Sequence, residues 1–180
     1  MRLAAFCAYL GAWVVFAIGA VAGGIPRVQR LAGAGFTLAG SVVIGTLLQI
    51  GSALVITMGL SDAPLAPNRL ELAGVLALAP LGAALFVWAL VAGRGKAGRL
   101  VTNGPYSWMR HPIYLAFLAM LLATGLLASA GLRLAVAVMI YLAGTEIRIA
   151  SEEPELAAAF PVEYEQYCVR TRWRYIPGLR

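Results

Sequence analysis

The sequence predicts an all-α integral membrane protein: a single domain over residues 1–180 with about five membrane-crossing helices and a cytoplasmic amphipathic C-terminal helix. Three observations carry this expectation. Hydrophobic residues make up 61% of the chain and charged residues 12%, whereas soluble domains run near about half and about a quarter. The mean hydropathy is +0.83. Apolar runs of roughly 20 residues, the length a helix needs to cross the hydrocarbon core, recur along the chain.

Residues 3–22 (LAAFCAYLGAWVVFAIGAVA) form the first predicted span, closed by Gly23, Gly24 and Pro26. The Ala-Val-Ala at 20–22 mimics a signal-peptidase site, but the run exceeds the roughly 7–15 residues of a signal h-region, so the span is expected to be retained. Residues 36–60 form the second span, ended by SDAPLAPN. Residues 71–92 form the third, with Pro80 as a kink of the kind tolerated inside a bundle. Residues 113–128 and 132–149 form the fourth and fifth. Only a few residues around Ser129 and Gly131 join those two, which predicts a tight helical hairpin.

The loops set the orientation. Arg27 and Arg30 follow the first span, Arg94, Lys96, Arg99 and Arg110 the third, and Arg148, Arg170, Arg172, Arg174 and Arg180 the fifth, leaving only Arg2, Arg69 and Arg133 for the other side. The positive-inside rule then places the N-terminus outside and the C-terminus in the cytoplasm, which five spans satisfy. The same rule accounts for a net charge of +6 and a pI near 9.8. Nucleic acid is therefore not an expected partner; the lipid bilayer is. Cys7 and Cys168 have neither CxxC nor metal-ligand spacing, so neither a disulfide framework nor a metal site is expected. Twenty glycines suit close helix packing in lipid. The chain shows no internal repeat, and no ionisable residue interrupts the middle of the first three spans, both against a transporter.

Beyond the fifth span, SEEPELAAAFPVEYEQYCVRTRWRYIPGLR changes character. Leu156, Phe160, Tyr164 and Tyr167 recur at helical spacing among Glu155, Glu163 and Glu165, which predicts an amphipathic cytoplasmic segment interrupted or kinked at Pro161.

The chemistry-bearing residues gather on one face of the membrane. A hairpin of the fourth and fifth helices brings the start of the fourth (Arg110, His111, Pro112, Tyr114) near the end of the fifth (Glu146, Arg148, Glu152, Glu153). Arg148 and Glu152 are four residues apart and share a helix face as long as helix continues through them, but Pro154 disfavours helix at Glu153. Each residue has a bland reading as interface anchor, aromatic belt or surface ion pair. Their convergence at the mouth of a bundle suits instead a site for a charged ligand.

LVTNGPYSWMRHPIY at 100–114, SEEPEL at 151–156, Phe160, the Tyr164-x-x-Tyr167 pair and YIPG at 175–178 resemble the isoprenylcysteine carboxyl methyltransferase family and its bacterial relatives. The resemblance covers the chain from about residue 98 to the end. It implies a membrane-embedded enzyme that takes S-adenosylmethionine from the cytoplasm and methylates a lipophilic acceptor. By position, it implies a cofactor pocket of Gly98, Arg99, Leu100, Val101, Tyr106, His111, Pro112, Ile113, Tyr114 and Glu152. It assigns Arg148 to the acceptor's carboxylate, as a substrate-binding and catalytic residue, with Arg110 as a second catalytic residue supporting the same site. No metal is implied. An amine or thiol acceptor would need a base, for which His111, Glu152 or Glu153 are candidates.

Two other readings remain open at this level. The tail YCVRTRWRYIPGLR also resembles NADPH-dependent membrane sterol reductases, in which Arg170, Arg172 and Arg174 would meet a nucleotide phosphate. The nonenzymatic alternative is a membrane scaffold.

Overall fold

The computed structural model describes residues 1–31, 36–58, 67–94 and 98–178, with the side chains of 20–31 and 36–39 outside the description. The described residues form six α-helices and no strand: α1 (Arg2–Leu31), α2 (Phe36–Thr57), α3 (Arg69–Gly93), α4 (Pro112–Leu127), α5 (Leu132–Ala159) and α6 (Pro161–Arg170), with a 3-10 turn at Gly104–Ser107 before α4. Four of them, α1, α2, α3 and α5, are long and apolar enough to cross a membrane. The chain is an integral membrane protein.

The fourth expected span is the exception. α4 has 16 residues, about 24 Å at 1.5 Å per residue, short of a hydrocarbon core of about 30 Å. It begins at Pro112, whose missing N–H costs nothing at the first helical position, and stops at Ala128, before the left-handed Ser129 (φ 47°). A short helix is tolerated because α4 lies inside the protein: Tyr114, Ala116, Leu118, Ala119, Met120, Leu121 and Ala123 are all buried.

α4 joins two halves. On one side Phe16 of α1 stacks on Phe86 of α3 at 4.2 Å, and Phe117 of α4 closes the trio at 5.0 and 5.6 Å. On the other, Ile56 of α2, Leu118 and Leu121 of α4, and Ala137 and Tyr141 of α5 form a second core. The outward faces of α1–α3 show Leu3, Val14, Ile18, Leu47, Leu54, Leu81 and Val91 well exposed. So extensive an apolar surface requires a nonaqueous neighbour, here lipid acyl chains.

Helix ends differ from the sequence expectation in three places. α1 continues through Gly23, Gly24 and Pro26 to Leu31. α3 starts at Arg69 because Asn68 and Glu71 form a reciprocal capping box, Glu71 N–H to Asn68 Oδ1 at 2.9 Å and Asn68 N–H to Glu71 Oε2 at 2.7 Å. Glu71 Oε2 also accepts from Ser129 Oγ at 3.1 Å, which ties α3 to the turn between α4 and α5. α5 does not stop at 149; it passes through Pro154 to Ala159. Pro154 is exposed, so water can satisfy the carbonyl its ring leaves unpaired. The break comes at Phe160, and Pro161 opens α6. The expected loop SDAPLAPN lies outside the described residues except for Pro67 and Asn68, as do Lys96 and Arg180 and the side chains of Arg27 and Arg30.

Candidate active site

The four residues 128–131 turn α4 back into α5, so the first turn of α4 stands beside the far half of α5. Tyr141 Oη donates to the Tyr114 carbonyl at 2.7 Å and fixes the register of the two helices. Continuous helix through Arg148, Glu152 and Glu153 then aims all three at the start of α4.

Glu152 is the centre of the cluster. Its Oε1 accepts from Tyr114 Oη at 2.5 Å and from Arg148 NH2 at 3.0 Å. Its Oε2 faces His111 Nδ1 at 3.7 Å, beyond hydrogen-bond length. The Arg148 guanidinium also lies 5.3 Å from the centre of the Tyr114 ring, within cation–π range. His111 is 7% exposed, and its Nε2 stands 3.3 Å from Glu153 Oε1.

Glu153 carries a second pair: Arg110 Nε donates to its Oε1 at 2.9 Å. Burial opposes the Arg110 charge, but the Glu153 carboxylate more than offsets it and holds the guanidinium pKa above its ordinary value. Arg110 NH1 donates to the carbonyls of Thr171 and Arg172 at 3.0 and 3.2 Å. The backbone N–H groups of Arg110 and His111 reach the carbonyls of Trp173 and Arg174 at 2.9 and 2.7 Å. The stretch after α6 is thus strapped along the entrance to α4. Arg174 clamps it from the other side through Glu146 Oε2 at 2.9 Å and Glu153 Oε2 at 3.6 Å. Tyr175 Oη donates to Glu146 Oε1 at 2.9 Å; burial and that carboxylate push its phenol up to about 12.

The remaining expected residues lie on the way into α4 and in its first turn. Gly98 takes φ +76°, a left-handed conformation that suits glycine, and it and Arg99 are exposed. Leu100 and Val101 are half-buried on the way to the 3-10 turn. Tyr106 lies in that turn, and its carbonyl accepts from Tyr167 Oη at 2.7 Å. Pro112 is buried, and Ile113 packs on the Phe16–Phe86 core.

Sequence reasoning missed the contribution of α2. Arg148 NH1 donates to Thr46 Oγ1 at 3.3 Å and Gln49 Oε1 at 3.4 Å. The readable signal is a lone amide in a 22-residue apolar helix, since polar side chains inside a span are costly and usually paired. The strap through Arg174, Glu146 and Tyr175 was equally unforeseen, because it depends on where the tail returns.

Residues 70–158 match the sequence model of the isoprenylcysteine carboxyl methyltransferase (ICMT) family. That segment is the part of the chain that is similar to this family. The match runs from α3 to the end of α5 and so contains Arg110, His111, Tyr114, Arg148, Glu152 and Glu153. α6 and the strap lie beyond it. No curated protein sequence matches the chain. The match supports a membrane methyltransferase in general.

Proposed function

We propose that the chain is an S-adenosylmethionine-dependent methyltransferase acting on a lipophilic acceptor whose carboxylate, as in an isoprenylcysteine, Arg148 holds. The carrying observation is the cluster around Glu152, which gathers Arg148, Tyr114 and His111 at one end of the bundle inside the family segment. We read this arginine-rich end as cytoplasmic and the N-terminus as outside, which requires α4 to cross as a fifth, protein-buried helix.

The residues suit the cofactor. Glu152 Oε1 is occupied by Tyr114 and Arg148, while Oε2 has His111 Nδ1 only at 3.7 Å. An acceptor-only oxygen with unused capacity fits the hydroxyls or amino group of S-adenosylmethionine. Gly98, Arg99, Leu100, Val101, Tyr106, His111, Pro112, Ile113 and Tyr114 would form the rest of the pocket. When bound, the cofactor supplies an electrophilic methyl group on a sulfonium.

The protein's part is positioning and exclusion of water. Arg148 orients the acceptor carboxylate by charge-assisted hydrogen bonds. A carboxylate is already deprotonated, so no general base is required. Tyr114, Tyr141 and Ile149 are buried beside the cluster and would keep water from it. Arg110 and Glu153 fix the strap over the entrance.

The test is methyl transfer from labelled S-adenosylmethionine to N-acetyl-S-farnesylcysteine by the detergent-purified chain, scored by release of label as methanol in alkali. Alkali-labile product that drops at least about 100-fold in Arg148→Ala supports the proposal. Alkali-stable label would move the acceptor to an amine or thiol, and unchanged transfer by Arg148→Ala would remove Arg148 from the site.

A further inference from the structure

The two terminal nitrogens of Arg148 are used by different helices. NH2 is bound by Glu152 on its own helix at 3.0 Å. NH1 is bound across the bundle by Thr46 Oγ1 at 3.3 Å and Gln49 Oε1 at 3.4 Å. Nε is buried with no hydrogen-bond partner. A planar guanidinium can grip a carboxylate with parallel N–H donors along its NH1–NH2 edge or its Nε–NH2 edge. Here the first edge is committed to α2.

The α2 side chains are themselves fixed. Gln49 Nε2 donates to Thr145 Oγ1 at 2.9 Å, and Thr145 is fully buried, so the amide is held at both ends with its oxygen towards Arg148. Thr46 Oγ1 spends its proton on the Val42 carbonyl at 2.7 Å and keeps lone pairs for Arg148. Gly45 lets the Arg148 stem lie against α2; a Cβ there would be 2.5 Å from Arg148 Cγ.

We infer that Thr46 and Gln49 are positioning residues that anchor NH1 of Arg148, so that its Nε–NH2 edge is the one offered to the acceptor carboxylate. This inference rests on the carboxylate-acceptor reading above. On docking, the carboxylate replaces Glu152 at NH2 and takes up the unpartnered Nε, and Glu152 turns to the cofactor. A merely structural role, in which α2 only satisfies a charge inside the membrane, would make the same contacts without this consequence.

The experiment measures KM for N-acetyl-S-farnesylcysteine, KM for S-adenosylmethionine and kcat in Thr46→Val, Thr46→Ser and Gln49→Leu, together with S-adenosylhomocysteine binding. The expected result is an acceptor KM raised about tenfold in Thr46→Val and Gln49→Leu, with cofactor KM and S-adenosylhomocysteine affinity within about twofold of wild type. Thr46→Ser keeps the hydroxyl and should restore most of the acceptor affinity. Should Gln49→Leu fail to fold, the valine–serine pair at position 46 still decides. Equal losses in Thr46→Val and Thr46→Ser, parallel rises in both KM values, or an unchanged acceptor KM would overturn the inference alone. A wild-type chain that binds S-adenosylhomocysteine but leaves the probe unmethylated would overturn the carboxylate reading and this inference with it.

Discussion

Gly45 of α2 and Gly144 of α5 face each other so closely that a Cβ on either would stand 2.7 Å from the carbonyl oxygen of the other. Backbones can approach this far only where both side chains are absent, the usual device of helix pairs in lipid. The contact lies one turn before Arg148 and within one turn of Thr46 and Gln49, so it sets the spacing on which their hydrogen bonds depend. In most exposed helix positions Gly→Ala stabilises by up to about 1 kcal/mol. Here Gly144→Ala should destabilise instead, because the methyl meets backbone that cannot yield, an overpacking cost of about 1–3 kcal/mol. The measurement is thermal unfolding in detergent, with a fall of several degrees expected. A rise in the midpoint would show that the seam is loose.

Glu152→Gln keeps an acceptor for Tyr114 but removes the charge facing Arg148 and the acceptor-only oxygen assigned to the cofactor. The expected outcome is S-adenosylhomocysteine binding weakened by about tenfold or more, read by isothermal titration. Stability should change less, because the Arg148–Glu152 pair is part-exposed and such pairs contribute little. Unaltered affinity would take Glu152 out of the cofactor pocket.

Arg110 joins three things with one guanidinium: Glu153, the Thr171 carbonyl and the Arg172 carbonyl. A lysine ammonium is a point donor and cannot reproduce this fork. In Arg110→Lys the backbone bonds from residues 110 and 111 to Trp173 and Arg174 remain, so the strap should loosen rather than detach. Hydrogen exchange of residues 171–175 should accelerate while α3 stays protected. Burial beside the Glu153 carboxylate leaves the folded pKa of Arg110 above the ordinary guanidinium value. Its contribution is therefore fully present below that value and is lost only as pH rises past it. Strap protection, corrected for intrinsic exchange, should stay level from about pH 6 to about pH 10. A drop inside that window would mean that another group holds the strap.

Much of this arrangement was legible because a bilayer imposes its thickness on sequence: the runs at 3–22, 36–60, 71–92 and 132–149 each contain the body of a helix. What was not legible depended on contacts. Pro154 breaks the local rule for helix, yet α5 continues because buried Ile149 and Ser151 hold its flank and one lost hydrogen bond is not decisive beside that packing. The extent of α4 was legible to within one residue at each end, but not its place inside the protein, since a buried helix and a spanning helix read alike. His111, Tyr114, Arg148 and Glu152 were readable as a group because a short connection forces antiparallel neighbours. Thr46 and Gln49 were not, because only the packed register of α2 on α5 aims them at Arg148. Asn68 and Glu71 show a capping box in plain spacing, one that an eye fixed on apolar runs passes over.

Gly104 opens the 3-10 turn that carries Tyr106, and it does so at φ +62°. A Cβ there would meet Ala92 Cβ and Trp88 Nε1, both at 3.1 Å. Gly104→Ala therefore faces two costs, the left-handed backbone, of about 1–2 kcal/mol for a residue with a Cβ, and a push against the end of α3. Trp88 can yield only by disturbing its edge-on contact with Trp108, whose ring centre lies 5.3 Å away. The turn should shift as a unit, taking with it the Tyr106 carbonyl that Tyr167 binds. Because Tyr106 and the residues leading into it belong to the proposed cofactor pocket while Arg148 does not touch this turn, the defect should be selective. The KM for S-adenosylmethionine should rise several-fold, and the KM for the farnesylcysteine probe should stay near wild type. Losses divided equally between the two substrates would mean that the turn supports the whole bundle end rather than the cofactor side of it.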